Sequence, residues 1–307
     1  MATTIGQAVS ENAESVRQPG SLTERFDAPG IRQFIGHCAA LAATGYLVHL
    51  SFGTYWLAPA LIAHGFVLVF LFAPLHETIH RTAFRSRWIN SAVSWFCGAL
   101  LMLPPNYFRA FHFAHHRYTQ DPERDPELRY AKPASWGAYL WTVSGIPYWR
   151  ERMVTTWKLA LGQGNAPFIS QTARRGIVRE ARILIGAYVV VAVVAVAAQS
   201  AAPIYFWLLP VVLGQPFLRM YLLAEHTGCP LVPDMRANSR TVLTNRAMRR
   251  LAWNMPFHTA HHVYPGVPFH VLPEAHGRIQ DGVQHQASGY LAVQRELIGK
   301  FPRVRGE

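Results

Sequence analysis

Residues 55–80 read YWLAPALIAHGFVLVFLFAPLHETIH. From Tyr55 to Leu75 the stretch is apolar for roughly twenty residues, enough for a helix to cross a hydrocarbon core of about 30 Å. It runs without a break into His76-Glu77-Thr78-Ile79-His80, whose two imidazoles sit four residues apart on one helix face. A membrane span that ends in paired histidines frames the rest of the chain.

Upstream, Ile31 to Leu50 is a second apolar run, joined to the first by the uncharged link Ser51 to Thr54. The two read as a transmembrane hairpin. Downstream, Ile183 to Ala198 and Ile204 to Leu223 form another, joined by the uncharged Gln199 to Pro203 and leaving the membrane at Glu225-His226. His37, His49 and His64 lie alone inside the first hairpin and read as packing or helix–helix hydrogen-bonding residues. Trp88 to Leu103 is apolar but short and stops at Pro104-Pro105, which suits an interfacial or re-entrant helix. The aromatic segment 135–168, with Trp136, Trp141, Trp149 and Trp157, suits helices at headgroup level.

Half of the 307 residues are apolar and 15% are charged, in keeping with one integral membrane domain. The three cysteines are well separated, so neither a disulfide framework nor a thiolate metal site is indicated. A net charge of +12 would suggest nucleic acid in a soluble protein, but its placement says otherwise. No Lys or Arg lies between Arg32 and Arg81 or between Arg182 and Arg219, while fifteen fall from Arg81 to Arg182 and ten after Arg219. That is the positive-inside pattern, with both termini and the histidine-bearing segments in the cytoplasm and no nucleic-acid partner. The expected organisation is a mobile cytoplasmic tail over residues 1–30, a membrane domain over 31–276 and a cytoplasmic C-terminal tail over 277–307. The expected fold is all-α, with four transmembrane helices in two hairpins and a cytoplasmic helical cap.

Two further strings have one pattern: HFAHH at His112 to His116 and HTAHH at His258 to His262. On a helix, positions i, i+3 and i+4 share a face, so each copy is expected to aim three imidazoles at a single spot. Clustered neutral imidazoles bind transition metals well. With His76, His80 and His226 the set reaches nine: His76, His80, His112, His115, His116, His226, His258, His261 and His262. One ion takes about four to six donors, so nine suit two metals. Asp121, Asp125 and Glu225 are read as groups that accept hydrogen bonds from ligand imidazoles, the acidic turn at 121–127 having a plain solvated reading as well. Asn254, four residues before His258, is read as a further donor to the centre, directly or through water. His270, His276 and His285 lack helical pairing with these strings and are read as non-ligands.

The string at His76 also matches H-E-x-x-H, the zinc-protease pattern in which Glu77 would be the general base. That reading leaves both His-x-x-His-His copies without a role; a non-enzymatic metal carrier is the other alternative, but a metal transporter would put its ligands near the membrane midplane. Three boxes, His-x-x-x-His and two copies of His-x-x-His-His, set behind two transmembrane hairpins, resemble the membrane-bound fatty acid desaturase and hydroxylase superfamily over roughly residues 31–276. The resemblance implies a di-iron centre of two iron ions with all-nitrogen ligation, O₂ as co-substrate, and hydrogen abstraction from an unactivated C–H bond. It assigns His76 and His80 to the first box, His112, His115 and His116 to the second, and His258, His261 and His262 to the third. His226 matches the extra histidine after the fourth span. The first box has three intervening residues where acyl-CoA desaturases commonly have four, which leaves acyl-lipid, sphingolipid and carotenoid-modifying relatives. No His-Pro-Gly-Gly segment of a fused b-type cytochrome and no cysteine set for an iron–sulfur cluster is present. Electrons are therefore expected from a separate donor protein of the ferredoxin or b-type cytochrome kind. The expected activity is lipid acyl desaturation, with hydroxylation or ketolation of a lipid or carotenoid as the alternative.

Overall fold

The computed structural model describes residues 22–302, so residues 1–21 of the expected tail and residues 303–307 lie outside it. The described chain is helical apart from one short pair of strands. Helix α1 (Asp27–Leu50) begins at Asp27 rather than Ile31. The Asp27 carboxylate accepts from Ser86 N at 2.8 Å and Ser86 Oγ at 2.6 Å, which ties the start of α1 to the turn after the first histidine box. Helices α2 (Leu57–Val69) and α3 (Phe72–His80) follow almost in line, and α3 ends with Arg81 in the left-handed conformation.

Among the described residues, three helical stretches are long and apolar enough to cross a membrane: Leu57–His80, Gln171–Ala197 and Ile204–His226. The expected first span, α1, has the length at 24 residues, but Arg32, Gln33, His37 and His49 dilute its apolar content. His37 Nε2 donates to Val67 O at 3.0 Å, and His64 links α1 to a later segment, receiving Thr44 Oγ1 on Nδ1 at 2.8 Å and donating from Nε2 to Phe206 O at 3.1 Å. Both histidines therefore hold helices together, as their isolation in the sequence suggests.

Helix α4 (Arg87–Leu100) is the expected short apolar helix, and α5 (Pro105–Tyr118) returns from it. Terminal carbonyls of a helix have no intrahelical partner and are costly to leave unpaired in an apolar setting. Here Tyr188 Oη donates to Ala99 O at 2.9 Å and Trp207 Nε1 to Leu100 O at 2.7 Å. The start of α5 is held in the complementary way. Glu180 accepts from Asn106 N at 3.0 Å and Tyr107 N at 3.3 Å, placing a carboxylate where the helix exposes its amides.

Helices α6 (Trp136–Val143) and α7 (Ile146–Ala160) lead into the long α8 (Gln171–Ala197). Val189, Val190, Val193, Val194 and Val196 are exposed along α8, a face that suits lipid and not water. A π-helical turn, Ile204–Leu208, opens α9 (Leu209–His226). Helices α2 and α9 cross where Gly65 meets Gly214: a Cβ on Gly65 would lie 2.2 Å from Pro210 O, and one on Gly214 2.2 Å from Gly65 O. Only glycine allows this approach, which small residues provide in membrane helix pairs.

The remainder folds as α10 (Met235–Asn238), β1 (Arg240–Val242), α11 (Arg246–Leu251), α12 (His258–Val263), α13 (Leu272–Ile279), β2 (His285–Ala287) and α14 (Tyr290–Gly299). Strands β1 and β2 pair in parallel, Arg240 with His285 and Val242 with Ala287. The segment beyond residue 276, expected as a tail, is packed on the body. Gln294 Nε2 donates to Met220 O on α9 and Tyr139 Oη on α6 donates to Gln294 Oε1, both at 2.9 Å.

Candidate metal centre

The ends of α3 and α9, the second half of α5 and all of α12 converge on one point, and all nine expected histidines lie there. They sort into two groups. His76, His80, His112, His116 and His261 have a nitrogen apiece within 4.8 Å of one another, as do His115, His226 and His262. His258 joins the second group, its Nε2 2.9 Å from His226 Nε2.

The expectation of one target per His-x-x-His-His box is therefore corrected. His112 and His116 face the first group while His115 faces the second, and in the other box His261 faces the first while His258 and His262 face the second. Helix geometry supplies the reason. At about 100° per residue, i+4 lies roughly 40° past i and i+3 roughly 60° short of it, so i+3 and i+4 diverge by about 100°. The box is a splitter, and two boxes crossing each other make two sites.

Hydrogen bonds fix which nitrogen His115, His226 and His262 present in the second group. His115 Nδ1 donates to the Asp125 carboxylate at 3.0 and 3.1 Å, and His226 Nδ1 donates to Asn238 O at 3.0 Å. Thr119 gives its proton to His115 O at 2.7 Å, so toward His262 Nδ1, 3.3 Å away, its oxygen is the acceptor. His258 Nδ1 lies 3.4 Å from the Glu225 carboxylate. Each imidazole so tied at Nδ1 offers a bare Nε2 lone pair.

Those lone pairs face one another. The Nε2 atoms of His115 and His226 are 3.2 Å apart, and with both protons committed at Nδ1 no hydrogen joins them. In the first group His116 Nε2 stands 2.9 Å from His112 Nε2 and 3.0 Å from His261 Nε2, and one proton serves only one such contact. His80 Nε2 and His262 Nε2 are buried without a hydrogen-bond partner. A shared cation resolves all of these. Two nitrogens each about 2.1 Å from one ion, at a right angle, are about 3 Å apart. The donor set is all imidazole, which suits a first-row transition metal such as iron.

Burial first, and neighbouring imidazoles next, hold His112, His116, His258, His261 and His262 well below the usual imidazole range, so they are neutral at pH 7. Burial pulls His115 the same way, but Glu127 and Asp125 outweigh it and raise its basicity. Glu127 Oε2 stands 3.7 Å from His115 Nδ1.

Of the other residues singled out from sequence, Asp125 and Glu225 touch the centre and two do not. Asp121 turns outward, accepting from Glu123 N and Arg124 N and pairing with the Arg124 guanidinium. Asn254 is left-handed, with φ 57°, and spends its amide on Phe269 O at 3.1 Å. Glu77 accepts from Thr82 Oγ1 at 2.9 Å and Phe269 N at 3.1 Å, clamping the first box to the loop after the third. His270 and His285 belong to neither histidine group, and His276 packs its ring on Phe257. Sequence reasoning missed Thr119, Gln120 and Asn238. Gln120 N donates to Asp125 and its side chain to His226 O, so it closes the loop over the second group. Asn238 contributes a backbone carbonyl, which no residue pattern announces.

The sequence profile of the fatty acid desaturase family matches residues 27–293. The chain is 24% identical over 250 residues to the sn-1 oleoyl-lipid 12-desaturase of Picosynechococcus sp., covering 74% of this chain and 70% of that one. It is 23% identical over 260 residues to the sn-1 oleoyl-lipid 12-desaturase of Synechocystis sp., covering 78% and 72%. The match takes in both hairpins and all three histidine boxes, and the chain belongs to the fatty acid desaturase family.

Proposed function

We propose that the protein is an O₂-dependent membrane di-iron enzyme that introduces a double bond into the acyl chain of a membrane lipid. The observation that carries the reading is the division of nine histidines into two adjoining groups whose bare nitrogens face one another at 2.9–3.2 Å. Two iron ions held there, one by His76, His80, His112, His116 and His261 and the other by His115, His226, His258 and His262, would supply O₂ reduction and the removal of hydrogen from an unactivated C–H bond. The protein's part is to orient and to exclude. Asp125, Asn238 O and Thr119 keep protons on Nδ1 of His115, His226 and His262, and burial of the imidazoles keeps bulk water out.

An acyl-lipid substrate is supported by the two relatives, both sn-1 oleoyl-lipid 12-desaturases, and by the three-residue spacing of the first box. An open apolar groove of about 780 Å³, lined by Trp149, Met153, Tyr188, Ala192 and Trp207, suits an acyl chain beside α8. Charge placement supports four spans, α1 joining the three long apolar stretches, with the histidine cap and both termini in the cytoplasm. The electrons then come from a separate donor protein. Hydroxylation is the second reading, since both outcomes begin with loss of hydrogen from one carbon. Reconstituted protein given isotope-labelled O₂, a reductant and labelled membrane lipids is expected to yield a product two hydrogens lighter with both oxygen atoms in water. A product carrying one labelled oxygen establishes hydroxylation, and turnover without O₂ overturns the proposal.

A further inference from the structure

Desaturation has an electron deficit. Removing two hydrogens from adjacent carbons releases two electrons and two protons, whereas reducing O₂ to two waters takes four of each. The two electrons and two protons still missing come from outside the substrate, so resting on the function proposed above the centre needs a place where electrons enter.

Of the nine histidines, seven are buried and only His80 and His116 are partly exposed, both in the first group. The rings of His80 and His116 are 4.8 Å apart, centroid to centroid, so they mark one edge of the cluster. Phe113 lies against that edge. Its ring centroid is 5.2 Å from that of His80, and the residue is 38% exposed although it sits on the helix that carries the second box. Arg109 stacks its guanidinium over the Phe113 ring at 4.0 Å. Arg109, Phe113 and Arg117 follow at i, i+4 and i+8 and share a face of α5. Arg81, exposed at the end of α3, immediately follows His80. Among the described residues no carboxylate pairs with Arg81, Arg109 or Arg117.

We infer that this face, Phe113 ringed by Arg81, Arg109 and Arg117, docks a small acidic one-electron carrier protein and passes its electrons through His80 into the first histidine group. An exposed ring among unpaired cations is complementary to a carrier whose redox group sits near an acidic surface. Electron-transfer encounters are small and transient, so a patch of a few residues suffices. The face also lies at the only partly open edge of the cluster, which keeps the path from surface to metal short.

Reduced plant-type [2Fe–2S] ferredoxin is the probe, with the full chain in phosphatidylcholine nanodiscs. Its Kd is expected to rise at least about tenfold in the Arg81→Glu, Arg117→Glu double variant, and in wild type between about 50 and 300 mM salt. Arg175→Glu, in the separate arginine cluster of α8, should change Kd by less than about twofold. Phe113→Ala should lower the ratio of ferredoxin-driven to dithionite-driven turnover. An unchanged Kd in the double variant overturns the inference, and a loss confined to Arg175→Glu places the carrier elsewhere. Absence of turnover with both reductants counts against the proposed function and leaves the Kd comparison readable.

Discussion

His115 on α5 and His226 at the end of α9, 111 residues apart in sequence, bring their Nε2 atoms to 3.2 Å while each keeps its Nδ1 bonded to an oxygen acceptor. While both rings are neutral these are two acceptors that repel unless a cation lies between them, so the contact fits a site that could hold metal. Asp125 is the most exposed to test of the groups that impose it. Asp125→Asn removes the charge that holds the His115 proton and, with one acceptor oxygen in place of two, one of the backbone bonds from Gln120 N and Glu127 N. Metal affinity is expected to fall by about 10–100-fold, measured by iron retention against a chelator. Unaltered retention would show that the carboxylate is only a turn-former.

Glu77 separates the desaturase reading from the protease reading. Its Oε2 accepts from Thr82 and the Phe269 amide while Oε1 is buried without a partner, and a glutamine oxygen can take over the accepted bonds. Glu77→Gln should therefore keep both metal and lipid turnover, whereas His258→Ala should lose the two together. Complete inactivity of Glu77→Gln with metal retained would point to a general base and a hydrolase.

The crossing of α2 and α9 positions His226 against the second and third boxes. Gly65→Val would push a side chain into Pro210 O, 2.2 Å from the Cβ. Destabilisation of about 1–3 kcal/mol is expected, read as a lowered Tm in detergent. An unchanged Tm would mean that the helices separate freely there and that the crossing does not set the site.

Acid should weaken the metal-free protein. His112, His116, His258, His261 and His262 are held below the usual imidazole range when folded, but bind protons near pH 6.5 when unfolded. The unfolded chain then carries more protons below that pH, so stability is level above about pH 6.5 and falls as pH drops under it. His115, whose basicity is raised, opposes this singly. Tm measured at about pH 5.5 should lie below that at about pH 7.5; the reverse order would contradict the burial of neutral imidazoles.

Much of this site was legible in the chain as letters. Spacing gave His112, His115 and His116, the apolar runs gave α2, α8 and α9, and Asp125 followed from its nearness to the second box. What spacing concealed was direction. That i+3 and i+4 diverge on a helix is plain geometry, but which imidazole serves which group depends on how α5 and α12 cross, a fact of packing between segments over a hundred residues apart. The roles of Asp121 and Asn254 failed for a local reason, because short polar side chains satisfy neighbouring backbone before they reach a distant ring. Asn238 and Thr119 act through a carbonyl and a hydroxyl that many residues could supply.

If the nine histidines hold two iron ions in two groups, metal analysis of the purified protein should find about two irons per wild-type chain and fewer after His262→Ala or His80→Ala. A wild-type chain holding a single zinc and no iron would contradict that reading.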